Sequence, residues 1–406
     1  MVSYGDNKNN ITSRYQNKNS FKATSRYQSM DKVSPNQTDS GDTPIPDLEQ
    51  GRPRAAPTES ANANSKSMAL SQDELKDAGI KQAKKKMYNG GTKPTMTTEE
   101  FEKAKPDELR KDIRMIAACK DRQTSADVYD VSSFQLPDPP GRAGGACTSA
   151  LLSVLYADEK VREYDLSFTE VLQQMRVILK EEEYSQIPQL SSMNPINVDD
   201  KFDLVPDTAT GTKRAVMIGI NYVGEKHGEL RGCWNDVLNM KKYIQDVHGF
   251  EEENIVILMD DGNHIEPTKA NIIDAYKTVV AQAEENDAIF PHYSGHGTKL
   301  RDNDGDERDG YDEALVPRDF QSSDMIRDDD LYDLLIKNLP DGVHMVSVMD
   351  CCHSGTILDL PYLFKGDGKQ REMTLDPNLN LEAFIEKITG KLLQYLQAKL
   401  APSLSQ

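Results

Sequence analysis

Two short stretches carry residue types that make and break acyl bonds. VMDCCHSG, residues 348–355, sets Cys351 and Cys352 side by side, followed by His353, at the end of an apolar run. HYSGHG, residues 292–297, sets His292 and His296 among small residues. A thiolate is a strong nucleophile. An imidazole within hydrogen-bond reach takes the thiol proton and later hands it to a leaving amine. The pair therefore suits acyl transfer from peptide bonds. Glycines around both stretches permit tight turns and bring backbone N–H groups near a developing oxyanion. Spacing alone leaves His292, His296 and His353 open as the base. His296 is exposed by its flanking glycines, whereas His292 still belongs to a strand edge. The adjacent cysteines also raise a redox reading, but vicinal cysteines strain a disulfide and no C-x-x-C pair is present.

Such residues must be delivered by rigid elements. RAVMIGI (214–220), NIVILM (254–259), DAIF (287–290) and HMVSVM (344–349) are candidate buried strands. Between them, helical spacing predicts a helix from about Asn235 to Val247, with Val237, Met240, Tyr243, Ile244 and Val247 inward. A second helix follows a Thr268 cap, with Ile272, Ile273, Tyr276, Val279 and Val280 in phase. A third carries Leu331, Leu334 and Leu335, and a last one Phe384, Ile385, Ile388, Leu392 and Leu396. Earlier in the chain, IRMIAAC (113–119) predicts a strand, and GGACTSALLSVL (144–155) and SFTEVLQQMRVIL (167–179) predict helices. Pro188 in YSQIPQLSS precedes a predicted edge strand. Strands alternating with helices imply βαβ crossovers and a largely parallel sheet with helices on both faces. Folds of this α/β class hold ligands beyond the carboxyl ends of their strands. HYSGHG follows DAIF and CCHSG follows HMVSVM, so both stretches fall at such ends.

The 406 residues carry a formal net charge of -19 and 37% hydrophobic residues. Strong negative charge argues against nucleic acid as a partner and favours basic peptides. No apolar run approaches the roughly 18 residues of a membrane span, so no membrane partner is expected. Five cysteines at no zinc-like spacing fit a reduced, cytoplasmic protein. The polar start, MVSYGDNKNN, is unlike a secretory signal. Residues 1–30, rich in Ser, Arg and Lys, leave organellar targeting open. Residues 1–70 are expected to be a disordered, basic tail, and 71–110 a linker or short helices. Residues 111–200 and 211–370 form two segments of what should be one domain, 111–406, with 371–406 as a helical extension.

With these residues in hand, the chain resembles the metacaspases, caspase-fold cysteine peptidases. The matching stretches are GINYVGEKHGELRGCWND (219–236), HYSGHG (292–297), DGYDEALVPRD (309–319) and DCCHSG (350–355). The resemblance implies a caspase-like (caspase–haemoglobinase) fold, with His296 as base and Cys352 as nucleophile. CKDRQTSADV (119–128), GGACTSALLSVL and YSQIPQLSSMNPI (184–196) resemble the small-subunit-like part, which here comes first, as in type III metacaspases. It also implies cleavage after Arg or Lys, for which Asp236, Asp350 and Ser294 match the family's pocket. A helix N-terminal acid is the bland alternative for Asp236. Asp127 is a further, weaker candidate for the pocket wall.

Residues 301–330 hold twelve acidic side chains. RDNDGDERDGYDE imitates a calcium loop, yet Glu307 stands where an EF-hand requires glycine. The resemblance points instead to Asp312, Asp328, Asp329 and Asp359 as ligands for an activating Ca2+, with no organic cofactor. The expected protein is a monomeric endopeptidase acting on basic protein or peptide substrates, with autoprocessing at Lys365, Lys369 or Arg371. Two departures support the rival of a non-catalytic, partner-binding caspase fold. Arg122 replaces an acid, and Pro291 replaces an aromatic, where it is expected to end the strand early or shift the histidines.

Overall fold

When both faces of a sheet are covered, its strands become continuous apolar runs. The computed structural model describes residues 98–105, 111–119, 125–136, 141–156, 166–226, 228–302, 307–381 and 383–385. All lie in one unit, Glu59–Gln406. The basic tail, Arg122, Ile388, Leu392 and Leu396 lie outside the described residues.

The strands are β1 (Asp112–Ala117), β2 (Asp127–Val128), β3 (Gly144–Gly145), β4 (Gln189–Ser192), β5 (Lys213–Gly219), β6 (Ile255–Met259) and β7 (Ala288–Ser294). They continue as β8 (Gly297–Arg301), β9 (Tyr311–Leu315), β10 (Ile326–Arg327), β11 (His344–Asp350), β12 (Tyr362–Lys365) and β13 (Thr374–Leu375). Eight of them form one sheet in the order β13-β12-β4-β1-β11-β7-β5-β6. Its centre is parallel, through the pairs β1–β11, β11–β7, β7–β5 and β5–β6. β4, β12 and β13 add an antiparallel flank. The fold is thus α/β with a mostly parallel central sheet, the architecture the resemblance implied. β8, β9 and β10 form a separate three-stranded sheet, and β2–β3 a short ribbon.

The helices are α1 (Thr98–Ala104), α2 (Ala146–Tyr156), α3 (Phe168–Glu181), α4 (Cys233–His248), α5 (Lys269–Ala281) and, after the short turn Phe320–Ser323, α6 (Asp328–Leu331), which runs into a π turn at Tyr332–Lys337. α3 opens with a complete capping box. Ser167 accepts the Glu170 N–H, and the Glu170 carboxylate reaches back to the Ser167 N–H. Its apolar stripe of Phe168, Val171, Leu172, Met175 and Leu179 is buried as the spacing predicted. Side chains alternate across the sheet. Ala215 and Met217 of β5 join a core with α2, α3 and α4, containing Leu151, Leu172, Val237 and Met240. Val216 and Ile218 are equally buried but outside that core, and α5 packs on β5 as well.

Several expectations need correction. The strand after Pro188 is interior, because β12 pairs along its far side. Proline is harmless there because it precedes the ladder. α4 begins at Cys233, two residues earlier than expected, and Val247 is 43% exposed because it falls outside the buried stripe. Pro291 does not end its strand. β7 runs through to Ser294, and the pairing with β11 keeps the same offset on both sides of the proline, from Met345 facing Ile289 to Val348 facing His292. The missing N–H is absorbed within the ladder without a shift of the histidines. Lys365 is the last residue of β12, paired with Gln189, rather than part of an exposed loop. Lys369 and Arg371 lie in the exposed connection to β13.

Replacing Ser167 with alanine removes the hydroxyl that accepts the Glu170 N–H and leaves the Ser167 N–H on the Glu170 carboxylate. It should lower the unfolding free energy by about 1 kcal/mol, read as a fall in the urea midpoint with an unchanged m-value.

Candidate active site

The β7–β11 register places Ser294 opposite Asp350. His296 and Cys352 are each the second residue beyond that level pair, so two neighbouring parallel strands deliver them at one end of the sheet. The approach is close. A Cβ added to Gly297 would overlap the Cys352 carbonyl oxygen and lie 3.3 Å from Cys351 Sγ. Only glycine fits beside the base. The two cysteines diverge. Cys351 is fully buried, and burial raises its thiol well above the ordinary range. Cys352 is half-buried, with Sγ 3.9 Å from the Ser125 carbonyl oxygen.

The three histidines separate by environment. His292 is buried and donates Nδ1–H to the Val348 carbonyl at 3.1 Å, and burial lowers its pKa to about 4. It is a neutral, structural residue. His353 has φ 57 in the turn after Cys352. His296 places Nε2 2.5 Å from the Gly228 carbonyl oxygen. A carbonyl only accepts, so Nε2 carries the hydrogen and Nδ1 is left as the basic nitrogen. Burial lowers the His296 pKa, with the Gly228 bond opposing, which favours the neutral base. Tyr222 holds the imidazole from below. Its ring centroid lies 4.6 Å from that of His296, and its hydroxyl accepts the His296 N–H at 3.0 Å and donates to the Val316 carbonyl at 2.6 Å. Neither Gly228 nor Tyr222 was named from sequence. The GINYVGEKHGE run that carries them was the available signal.

Beneath the strand ends lie the expected pocket residues. Ser294 Oγ donates to Asp236 Oδ2 at 2.7 Å, and the Gly145 N–H reaches both Asp236 oxygens at 2.8 and 2.9 Å. Asp350 accepts from Ser125 Oγ and from the Thr148 N–H at 2.8 Å. Both carboxylates converge on Gly145, where an added Cβ would strike Asp350 Oδ2 and lie 2.7 Å from Asp236 Oδ2. Burial raises both pKa values, and the Asp350 charge adds to the rise at Asp236. Two buried carboxyls this close favour sharing a proton. A cation between them would let both ionise. Asp236 is also the first-turn acid of α4, so its bland role and its pocket position coexist. Gly219 permits this, because a Cβ there would sit 2.7 Å from the Cys233 carbonyl oxygen.

A second acidic group lies along β9. Asp312, Asp328 and Asp329 bring ligand oxygens within 4.8 Å of one another, and so do Glu307, Glu313 and Asp328. Burial raises Asp328 well above the usual carboxylate range, and Asp359 is the first of the negative neighbours that add to it. Asp312 is pushed up to about 7 by burial, against the Arg327 guanidinium that holds its Oδ2. Its Oδ1 is buried with no hydrogen-bond partner. Three converging carboxylates, one with an orphaned oxygen, match the oxygen donors a hard cation takes. Glu307 and Glu313 were read only as part of a rejected EF-hand, since β10 pairing with β9 brings Asp328 toward Glu313, and Glu307 is held by a bridge to Leu379.

Exposure and thiol chemistry together predict the order of alkylation. Iodoacetamide should modify Cys352 of the folded protein first, with Cys351, Cys147 and Cys233 protected, as read by peptide mass spectrometry. Gly297→Ala should destabilise the fold by about 1–3 kcal/mol through overpacking, seen in denaturant melts.

Similarity to known proteins identifies the family. A model described as metacaspase, peptidase C14 domain, matches residues 213–361, and a caspase domain model matches residues 28–198. Metacaspase III c of Phaeodactylum tricornutum is 61% identical over 71% of this chain and 86% of its own. Metacaspase-1A of Aspergillus oryzae is 47% identical over 43% of this chain and 41% of its own. The chain thus spans less than half the length of that fungal relative. A crystal structure of a Geobacter sulfurreducens protein is 31% identical over 36% of this chain, with a TM-score of 0.30, too low to bear on the fold. A cysteine and a histidine level at the ends of parallel strands, and a Phaeodactylum relative matched over most of both chains, lead to one statement: this chain belongs to the metacaspase family of peptidases.

Proposed function

We propose that the chain is a calcium-activated cysteine endopeptidase that cleaves after Arg or Lys, with His296 and Cys352 catalytic and Asp236, Asp350 and Ser294 forming the pocket. The observation that carries this reading is the convergence of two buried carboxylates, Asp236 and Asp350, on Gly145, with Asp350 two residues before the half-buried Cys352. A guanidinium is planar, permanently charged and forked, and satisfies paired carboxylates in a way a neutral side chain cannot. The long aliphatic stem of Arg or Lys reaches acids that are fully enclosed.

With the basic side chain seated, Cys352 attacks the following carbonyl carbon. Its S–H proton passes to His296 Nδ1 as the C–S bond forms. Collapse of the tetrahedral intermediate breaks the C–N bond, and His296 protonates the leaving amine. Water then attacks the thioester, His296 takes its proton, and the carboxylic acid departs while the thiol is restored. The Gly228 carbonyl keeps the imidazole in the tautomer these steps need, the part played by the third member of a triad.

Ca2+ fits the oxygen set of Asp312, Asp328 and Asp329, with Asp359 beside it, and supplies charge neutralisation there. The chain itself links that place to both catalytic loops. β8 starts at Gly297, the Val316 N–H bonds the His296 carbonyl at 3.2 Å, and Thr356 Oγ1 donates to Glu313 Oε2 at 2.7 Å. Autoprocessing at Lys369 or Arg371 is favoured over Lys365, whose backbone is held in the sheet. A cytoplasmic monomer completes the proposal. β13 occupies the open edge of β12, and among the described residues no helix is long and apolar enough to cross a membrane.

The test is cleavage of small peptide amides ending in Arg, Lys or Asp, with and without Ca2+. Arg and Lys amides should be cut only with Ca2+, Asp amides not at all, and Cys352→Ala should abolish turnover. Asp cleavage, or full turnover by Cys352→Ala, would sink the reading. Asp328→Asn should also lose most of the rise in melting temperature that Ca2+ gives wild type, a readout independent of turnover.

The pocket acids add a pH dependence. Their folded pKa values are raised, so their contribution to stability is present at low pH and lost as pH rises through the raised values. Agmatine, a free guanidinium probe, relieves that loss. It should therefore raise the melting temperature more at pH 8 than at pH 5. An equal shift at both would count against paired carboxylates as its site.

A further inference from the structure

α4 carries Asp236 in its first turn, but its N-cap is Gly232, which has no side chain to receive the leading N–H groups. Asn221 Oδ1 accepts the first helical N–H, that of Cys233, at 3.0 Å, and a carboxylate distant in sequence anchors the two residues that lead into the helix. Asp127, the first residue of β2, accepts the Gly232 N–H at 2.9 Å on Oδ1 and the Arg231 N–H at 2.9 Å on Oδ2. The fit requires glycine, since a Cβ on Gly232 would lie 2.7 Å from Asp127 Oδ1 and 2.5 Å from the Gly144 carbonyl carbon.

The contact is reciprocal. Gly145 faces Asp127 across the β2–β3 ribbon, and its N–H is the donor that holds both oxygens of Asp236. Backbone N–H groups of the catalytic segment thus rest on a carboxylate of the N-terminal segment, and the reverse holds a few residues away. We propose that Asp127 is a positioning residue that locks the start of α4 so that Asp236 meets the basic side chain of the substrate. This rests on the Arg/Lys reading of the pocket. Asp127 acts through the chain entering α4 rather than on the substrate, since its partners are the Gly232 and Arg231 N–H groups. Burial raises its carboxyl, with the neighbouring Asp350 charge adding, so it stands close to the acids it organises.

Asp127→Asn keeps the shape but turns an N–H2 toward one of the two backbone donors. In the full chain with Ca2+, kcat/KM for an Arg-peptide amide should fall about ten- to a hundredfold, mostly through KM. The dissociation constant of agmatine should rise by a similar factor. Iodoacetamide needs no pocket, so the rate of Cys352 alkylation should stay at the wild-type value. Asp127→Glu, which retains a carboxylate, should recover part of the loss, and it carries the comparison if Asp127→Asn does not fold. Unchanged KM and agmatine affinity overturn the proposal. So does a loss of alkylation rate in step with KM, which marks a general structural role. A wild-type protein that neither cuts Arg amides nor binds agmatine overturns the pocket reading together with this one.

Discussion

Parallel pairing of β7 with β11 is the constraint on which the rest depends. Hydrogen bonds across a parallel pair hold two strands at a fixed offset, and here that offset sets Ser294 level with Asp350. Everything chemical follows within two residues of that level. The His292 side chain pins the same pair by bonding the Val348 carbonyl. A slip of one residue would turn every inward side chain outward, and would separate the base from the nucleophile as well. This explains why a proline can be tolerated in β7. What matters is the offset, and it is the same before and after Pro291.

Negative charge is the second organising feature, and the fold handles it by placing each carboxylate where N–H groups or a cation can meet it. Asp127, Asp236 and Asp350 accept backbone N–H groups from other segments. Asp328 accepts the N–H groups of Glu313 and Asp329 at 2.7 and 2.8 Å. Lys299 bridges Asp309 and Glu313, and Arg327 holds Asp312. Buried carboxylates need such partners. At Asp236, Asp350, Asp312 and Asp328, where burial raises the pKa, positive charge from outside the chain has the most to gain. β9 joins the two acidic regions physically, since it carries Asp312 and Glu313 and leads to Val316 against the base.

Segment order matters less than position in the sheet. β1 and β4 come from the N-terminal segment, yet β1 lies directly against β11, the strand that ends in the nucleophile. The same segment supplies the Ser125 carbonyl near Cys352, the β2–β3 ribbon against α4, and the Thr148 N–H on Asp350. A pocket built across two segments is complete only when both are docked.

Much of this was legible in the chain itself. Continuous apolar runs marked β5, β6, β7 and β11, because doubly covered strands leave no polar face. Helical spacing marked α3, and spacing with the Thr268 cap marked α5, because capping is a local matter of backbone N–H groups. The motifs that carry Cys352 and His296 fell at strand ends, and the family resemblance, rather than spacing, singled out those two residues. Other features depended on partners far away in sequence. Whether His292 or His296 is the base turned on burial against Phe290 and on the Gly228 carbonyl. Whether β4 was edge or interior turned on β12. The approach of Glu307, Glu313 and Asp328 turned on the pairing of β9 with β10 and the bridge from Glu307 to Leu379. The sequence determines which residues can do chemistry and the periodicity of the elements that carry them, since both are local properties. Distances, burial and the charges that shift a pKa are sums over non-local neighbours, and those were decided only by the tertiary structure.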